Sequence, residues 1–161
     1  MVCLALLLAL LHDVADHKYD KDGVLRRAVL ERYGPAMLAM VDAISYSTQV
    51  RRQKDAAGQD DLADFCELER QTIRIVRDAD RLDAIGLAGL ERCREYTREL
   101  YPGITEAAVN QCVRDHFHEK LVRLYRDNFI VTDSGRSMAL PLHQEMCASM
   151  GCCSTGCCIK G

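Results

Sequence analysis

Two short segments of the sequence carry side chains that could bind a metal ion. One contains His12 followed directly by Asp13, and the other contains Asp78, Asp80 and Asp83 within six residues. Asp80 and Asp83 are three residues apart and share one face of a helix, whereas Asp78 points elsewhere. Imidazole combined with carboxylates suits Zn, Mn, Fe or Ni better than Ca, which prefers oxygen ligands. These residue types therefore indicate a divalent-cation site.

A purely structural interpretation of the same residues stays open. Arg77 and Arg81 lie among the acids of the second segment. They could neutralise those acids on a solvated helix face, because charges three or four residues apart on a helix are neighbours. An adjacent His and Asp pair also occurs often by chance.

The element that must position His12 is the run Val2–Leu11, ten consecutive apolar residues. Leu and Ala are strong helix formers, so we predict a helix that is buried on most sides and ends at a polar cluster. The run is too short to span a bilayer, although its length also fits the apolar core of a signal peptide. No Lys or Arg precedes it and no small-residue cleavage pattern follows, which favours the helix.

The rest of the chain predicts helices and no sheet. Apolar residues at helical spacing predict helices over 22–33, with Asp22 as N-cap, and over 35–45, 61–85, 105–124 and 134–146. Gly34 and Pro35 indicate a stop and a restart, and Gly86 and Gly89 allow a bend or close packing. Residues 46–60 lack a period and predict an exposed loop. The β-branched run 129–132 is too short to found a sheet, so the fold class is all-α.

Composition sets the broad class of the protein. The chain has 161 residues, of which 48% are hydrophobic and 28% charged, and this is an ordinary globular balance for one domain over 1–146. A net charge of −3 argues against a partner that is a nucleic-acid polymer. Five of nine cysteines fall in residues 147–161, which predicts a flexible tail on a reduced, cytoplasmic protein rather than a disulfide framework.

Taken together, the motifs resemble the HD superfamily of metal-dependent phosphohydrolases, especially its small stand-alone bacterial and fungal members. The resemblance rests on the pair 12–13 at the end of an apolar helix, on Asp-x-Lys-Tyr at 16–19, on Asp-Ala-Asp-Arg-Leu-Asp-Ala-Ile-Gly at 78–86 and on Phe-x-Glu-Lys-Leu at 117–121. It covers about residues 4–140. It implies an HD-like helical bundle that hydrolyses a phosphate ester or anhydride, with a nucleotide as the expected substrate.

The resemblance also implies roles for particular residues. His12, Asp13 and Asp80 match metal ligands of the family, and the ion would be Mn, Fe, Ni, Zn or Mg. Such an ion lowers the pKa of a bound water and polarises a phosphoryl oxygen. Asp16 lies one helical turn from Asp13 and is expected to act as general base or to orient the water.

Two cations complete the expected catalytic set. Lys18 and Arg81 are expected to neutralise phosphate charge, with salt bridges to neighbouring acids as the alternative role for both. Asp83 is expected to support the site or to pair with another helix, rather than to bind the metal.

The sequence departs from the family at two places. Family members carry an earlier ligand His about two dozen residues before the His-Asp pair, whereas this chain begins eleven residues before His12. We interpret this as an N-terminally truncated or alternatively started chain, which would leave the helix Val2–Leu11 with an exposed apolar face. His116 or His118 could replace the missing ligand, whereas His17 points mostly away. The second departure is Leu142, which stands where relatives carry Arg.

The sequence allows more than one role for the tail and more than one function for the protein. Paired cysteines at 152–153 and 157–158 could bind soft metals or carry palmitate, or the tail could have no folded role. The leading functional hypothesis is a metal-dependent phosphohydrolase. The alternatives are a catalytically silent domain that binds a nucleotide or a protein, and a protein that handles metal through its tail. Oligomeric state does not follow from the sequence.

Overall fold

The computed structural model describes residues 2–14, 20–56 and 58–152. Within those ranges every regular element is helical and no strand occurs, which confirms the all-α prediction. The helices are α1 (Val2–Leu11), α2 (Val24–Ile44), α3 (Tyr46–Asp55), α4 (Glu67–Ala84), α5 (Gly86–Leu100), α6 (Glu106–His116), a π-helical segment (Phe117–Leu121), α7 (Val122–Arg126) and α8 (Asp133–Ser149). No helix in the described ranges is both long and apolar enough to cross a bilayer.

The chain divides into two compact units, with the boundary inside α4 between Arg77 and Asp78. The first unit buries one apolar cluster, formed by Leu8, Met37, Met40, Val41, Ala43, Ile44, Leu62, Phe65, Ile73 and Val76. In the second unit α5 packs against α6 and α8, and α7 packs against α8.

Helix α1 forms where the apolar run predicts it, but its expected burial on most sides is wrong. Leu8 enters the core of the first unit, whereas Val2, Leu6 and Leu10 are 69%, 61% and 76% exposed. These three residues recur every four positions and form one stripe, the α1 outer face. The exposed apolar face that the sequence led us to expect on this helix is therefore present.

Helix α2 is interrupted where Gly34 and Pro35 predict a stop. Gly34 has φ 82° and ψ 172°, a conformation that glycine adopts far more readily than other residues, and helical geometry resumes beyond it. The predicted N-cap, Asp22, is wrong by one position, because the N-cap is Gly23, although the Asp22 carboxylate accepts the first backbone N–H of the helix, that of Val24, at 3.4 Å. Asp20 receives the next two N–H groups. Its carboxylate accepts from Leu25 at 2.9 Å and from Arg26 at 2.8 Å. Burial opposes ionisation of Asp20, but these hydrogen bonds outweigh it and lower the pKa.

The predicted loop over 46–60 is wrong, because α3 occupies Tyr46–Asp55. The helix is rich in Gln, Arg and Lys, which favour helix, and only Gln49 is buried. A helix with so little buried surface has no apolar stripe, so hydrophobic periodicity does not detect it. Arg52 fastens α3 to the following segment by donating to the carbonyl oxygen of Asp61 at 2.8 Å and by ion pairing with Asp64.

Helix α4 begins six residues later than the predicted start at Asp61. Leu62 and Phe65 are buried as expected, but they lie in turns before Glu67. The helix ends at Ala84 because the chain reaches Gly86 with φ 81°, the left-handed region that favours glycine. At Gly89 a side chain would collide with the carbonyl oxygen of Ala84, so close packing explains this second glycine.

The last two predicted helices form with modified ends. Thr105 caps α6 as predicted, since its hydroxyl accepts from the backbone N–H of Ala108 at 3.3 Å. Helix α8 runs over Asp133–Ser149, so it continues three residues past the predicted end at 146. Pro141 lies inside this helix on its exposed side, where water can reach the carbonyl group that proline leaves without a donor.

Asp78 connects α4 to the start of α8 within the second unit. Its buried carboxylate accepts from the backbone N–H groups of Val131 at 3.0 Å and Thr132 at 2.7 Å. The hydroxyl of Thr132 also donates to it at 2.6 Å. Gly135 packs so closely on this carboxylate that a side chain there would collide with it. Asp78 is therefore a structural acceptor at the N-terminus of α8.

The first expected result concerns this acceptor. Asp78→Asn should lower the free energy of unfolding by about 2–3 kcal/mol, because an amide turns donor hydrogens toward N–H groups that need an acceptor. Urea denaturation followed by circular dichroism measures the change. Asp133→Asn is the control, since this exposed acid lies in the first turn of α8 and should cost about 0.5 kcal/mol. Equal losses in both variants would contradict the structural role of Asp78.

Candidate functional site

His12 lies in the turn that directly follows α1 and folds back onto the end of that helix. Its Nδ1 donates to the carbonyl oxygen of Ala9 at 2.7 Å. Carbonyl groups in the last turn of a helix have no partner within the helix, so this bond also caps α1. Because Nδ1 carries the proton in this bond, Nε2 is the ring nitrogen that carries the lone pair in a neutral imidazole.

Asp13 places a carboxylate oxygen next to that nitrogen. His12 Nε2 and Asp13 Oδ2 are 3.3 Å apart, and the Asp13 side chain is 70% exposed. If the imidazole is neutral, two lone pairs face each other across this gap. Either a second proton on the imidazole or a cation between the two atoms would make the contact favourable.

The separation matches what a shared cation requires. Two ligand atoms about 2.1 Å from a tetrahedral zinc ion are about 3.4 Å apart. The imidazole and carboxylate pair also has the donor chemistry that Zn, Mn, Fe and Ni accept. The residues His12 and Asp13 therefore fit a divalent transition-metal ion as two of its ligands.

Asp80 and Arg81 form an ion pair in the second unit. Arg81 Nη1 donates to Asp80 Oδ2 at 2.7 Å. The Arg81 side chain is only 1% exposed, whereas that of Asp80 is 43% exposed. Arg81 therefore holds the Asp80 carboxylate from the buried side while the carboxylate still reaches solvent. This pair is one of the salt bridges that the sequence left open for Arg81.

The remaining expected residues stand as follows. Asp16 and Lys18 lie outside the described residues, as does His17. In the described parts of the chain, no three His, Cys, Asp or Glu side chains form a group that could hold a metal ion. The ligand set of His12, Asp13 and Asp80 therefore stays a prediction.

The solvated helix face suggested for the arginines of α4 is not what the structure contains. Arg77 is 2% exposed and lies in the first unit. Its Nε donates to the carbonyl oxygen of Ala43 at 2.8 Å, and its Nη2 donates to Asp61 at 2.9 Å. Burial lowers the pKa of Arg77, and the ion pair with Asp61 opposes that effect. Arg77 is therefore a core residue.

Asp83 has its own partner away from the core. Its side chain is exposed and ion pairs with Arg92 of α5. The hydrogen bond to Asp83 raises the pKa of the Arg92 guanidinium. Sequence spacing alone did not separate the exposed pair at Asp83 from the buried acceptor at Asp78, because both partners lie on other elements.

The later histidines and cysteines occupy the second unit. His118 lies in the π-helical segment, is exposed, and packs edge-on against the ring of Phe117 at 4.9 Å between centroids. Cys147, assigned to the tail from the sequence, is a buried residue of α8, and its Sγ lies 3.6 Å from Nε2 of His143. The second cysteine pair, at 157–158, lies outside the described residues.

Comparison with known proteins supports the helical architecture. No protein-family model and no curated protein matches the chain. Among solved structures, the chain is similar to a protein from Lactobacillus plantarum whose crystal structure was determined as a Northeast Structural Genomics target. The two are 28% identical with a TM-score of 0.60, and the match covers 92% of this chain and 71% of that one. The likeness concerns the fold and carries no reaction with it.

Proposed function

We propose that this protein is a metal-dependent phosphohydrolase of the HD type. Its expected substrate is a small phosphate ester or anhydride, with nucleotides as the substrate class. The observation that carries the proposal is the pair at the end of α1, in which Nδ1 of His12 is held by a carbonyl oxygen and Nε2 faces a carboxylate oxygen at 3.3 Å. This is how proteins commonly prepare a histidine to bind a metal.

The proposed cation is divalent, namely Mn, Fe, Ni, Zn or Mg, with His12, Asp13 and Asp80 as its protein ligands. When bound, the ion would supply an activated water and would polarise a phosphoryl oxygen. Arg81 holds and orients the Asp80 carboxylate through their hydrogen bond. Asp16 is proposed to accept a proton from the attacking water or to orient it, and Lys18 to neutralise phosphate charge.

A second candidate function follows from the α1 outer face. Val2, Leu6 and Leu10 present an apolar stripe to solvent at the helix that ends beside His12. Exposed apolar stripes of this kind favour docking of another protein surface. The alternative proposal is therefore a catalytically silent domain of the same fold that binds a nucleotide or a protein partner.

We further propose a cytoplasmic protein whose partners are small molecules. The thiols of Cys3, Cys66, Cys93 and Cys112 are free, which suits a reducing compartment. The net charge of −3 disfavours a nucleic-acid polymer as ligand.

Metal binding by His12 is the direct test of the proposal. The purified full chain should hold about one Mn, Zn, Ni or Fe ion, measured by inorganic mass spectrometry after dialysis against each metal. His12→Ala should weaken the binding by at least about a hundredfold, because a direct ligand matters more than the outer groups whose loss costs about 10–100-fold. His118→Ala is the matched control and should keep the metal, since this exposed histidine is not among the proposed ligands.

A second readout distinguishes a metal ligand from a simple ion pair. Nitrogen-15 NMR of metal-free protein at pH 8 should show His12 neutral, with the proton on Nδ1. A doubly protonated His12 at that pH would indicate a salt bridge with Asp13 instead. If the protein binds none of the five cations and hydrolyses no nucleotide in their presence, the hydrolase proposal is contradicted. The alternative proposal, a catalytically silent domain, would then remain.

A further inference from the structure

A cavity of about 180 Å³ opens in the second unit between α5, α6 and the end of α8. It is lined by Arg94, Asn110, Val113, Arg114, Ser149 and Met150. Two of these side chains are guanidinium groups, and none is a carboxylate. All six residues lie in the second unit, and none of them belongs to the proposed metal site of His12, Asp13 and Asp80.

Among the described residues, the hydrogen bonds of the Arg114 guanidinium go to a neutral amide and not to a carboxylate. Its Nε and Nη2 donate to Oε1 of Gln111, at 3.3 Å and 3.0 Å. That amide in turn donates to Asp115 at 2.8 Å. Arg114 is thus held in place by a neutral acceptor one helical turn away, and its positive charge stays available to a ligand.

Arg94 approaches the cavity from α5 with most of its donors to spare. Its Nη1 donates to Glu91 at 3.0 Å, again one helical turn away on the same helix. A guanidinium has five N–H donors in a planar fork that matches the oxygens of phosphate or carboxylate. Two such forks that line one cavity, each held by its own helix, are arranged for an oxyanion.

The arginines do not serve to cap α8, although its last turn lines the same cavity. The carbonyl oxygens of Met146, Cys147 and Ala148 accept from the backbone N–H groups of the three residues that follow the helix, at 3.0–3.2 Å. Ser149 donates its hydroxyl to Met146 at 2.9 Å. These three carbonyl groups already have backbone donors, so they do not need the arginines as caps.

We propose that this cavity binds a small oxyanion, a phosphate group or one of its size, between Arg94 and Arg114. The side-chain amide of Asn110 is a third donor at the wall. Pockets for drug-sized ligands are about 300–1,000 Å³, so the size of this cavity suits free phosphate or a small phosphate ester better than a whole nucleotide. The negative end of the α8 dipole opposes an anion, which limits the affinity. The site is independent of the proposed hydrolase.

Phosphate titration of the full chain followed by nitrogen-15 NMR tests the proposal. At constant ionic strength the amides of Asn110, Val113 and Arg114 should shift together and saturate, with a Kd of about 1 mM, the value expected from a few charge-assisted hydrogen bonds. Methyl phosphate and acetate, titrated separately, distinguish an ester and a carboxylate from free phosphate. If acetate bound with the same Kd as phosphate, the result would contradict a site sized for phosphate.

Single variants assign the binding to the cavity. Arg114→Gln and Arg94→Gln should each raise the Kd for phosphate by about tenfold or more, the usual effect of losing one charged hydrogen-bond partner. Arg70→Gln is the matched control, because Arg70 also pairs with a glutamate one turn earlier on its helix, in the first unit. Shifts that grow without saturation, shifts confined to the amides around His12, or an equal loss in Arg70→Gln would overturn the proposal.

Discussion

Asp80→Ala is expected to lower kcat/KM for nucleotide hydrolysis by at least about a hundredfold, because loss of a metal ligand removes several kcal/mol of transition-state stabilisation and each 1.36 kcal/mol is a factor of ten. The expectation rests on the proposed function. It also rests on the geometry of Asp80, whose carboxylate is half-exposed and held from behind by Arg81. Metal content should fall in parallel with activity, which inorganic mass spectrometry measures on the same samples.

The control variant for this prediction lies on the same helix. Asp83→Ala removes an exposed carboxylate whose partner is Arg92, so its activity and metal content should stay within about twofold of the wild type. A second variant, Asp80→Asn, keeps an oxygen that can accept from the buried guanidinium of Arg81. It therefore tests whether the effect of Asp80→Ala comes from a folding defect. If Asp80→Asn folds, retains its metal and hydrolyses nucleotides as the wild type does, Asp80 is not a ligand.

Arg77→Ala is expected to lower the free energy of unfolding by about 3–5 kcal/mol, because removing one partner of a buried ion pair leaves the other uncompensated. The lost guanidinium donates to Asp61, whose side chain is only 12% exposed, and to the carbonyl oxygen of Ala43, so both acceptors lose a buried partner. For a chain of this length the melting temperature should fall by about 10 °C. Differential scanning calorimetry and urea denaturation measure the two quantities.

Arg74→Ala provides the comparison for the buried pair. Arg74 lies three residues earlier on α4 and pairs with Asp60, and both side chains are more than one third exposed. Exposed pairs of this kind contribute about 0–1 kcal/mol, so the melting temperature should change little. A loss in Arg74→Ala as large as that in Arg77→Ala would mean that burial of the pair has no special effect.

Local signals in the sequence predicted several of the positions where helices begin or end. Gly34 with Pro35, Gly86 and Thr105 each mark a break or a helix start that the structure contains. These signals work because glycine conformation, proline geometry and hydroxyl caps depend on a few neighbouring residues. The sequence did not predict helix α3, because its only fully buried side chain is a glutamine. Hydrophobic periodicity detects helices that bury an apolar face, and α3 has none.

The candidate site was predictable in its residue types and not in its contacts. The pair at 12–13 and the three acids of α4 were visible in the sequence as candidates for metal chemistry. Their different environments were not visible, because Asp78 binds residues more than fifty positions away while Asp80 pairs with its direct neighbour. Sequence spacing reports which side chains share a helix face, but not what packs against that face.

The sequence by itself determined an all-helical chain and the position of most helix breaks, because helix propensity, apolar period and turn chemistry are local properties. Only the tertiary structure decided which charges are buried. It placed Arg77 and Arg81 in the interior, left Asp80 half-exposed, and exposed the stripe on α1. Burial depends on contacts between distant segments, and the cost of desolvating a charge then decides whether it serves as a core residue or stays available for chemistry.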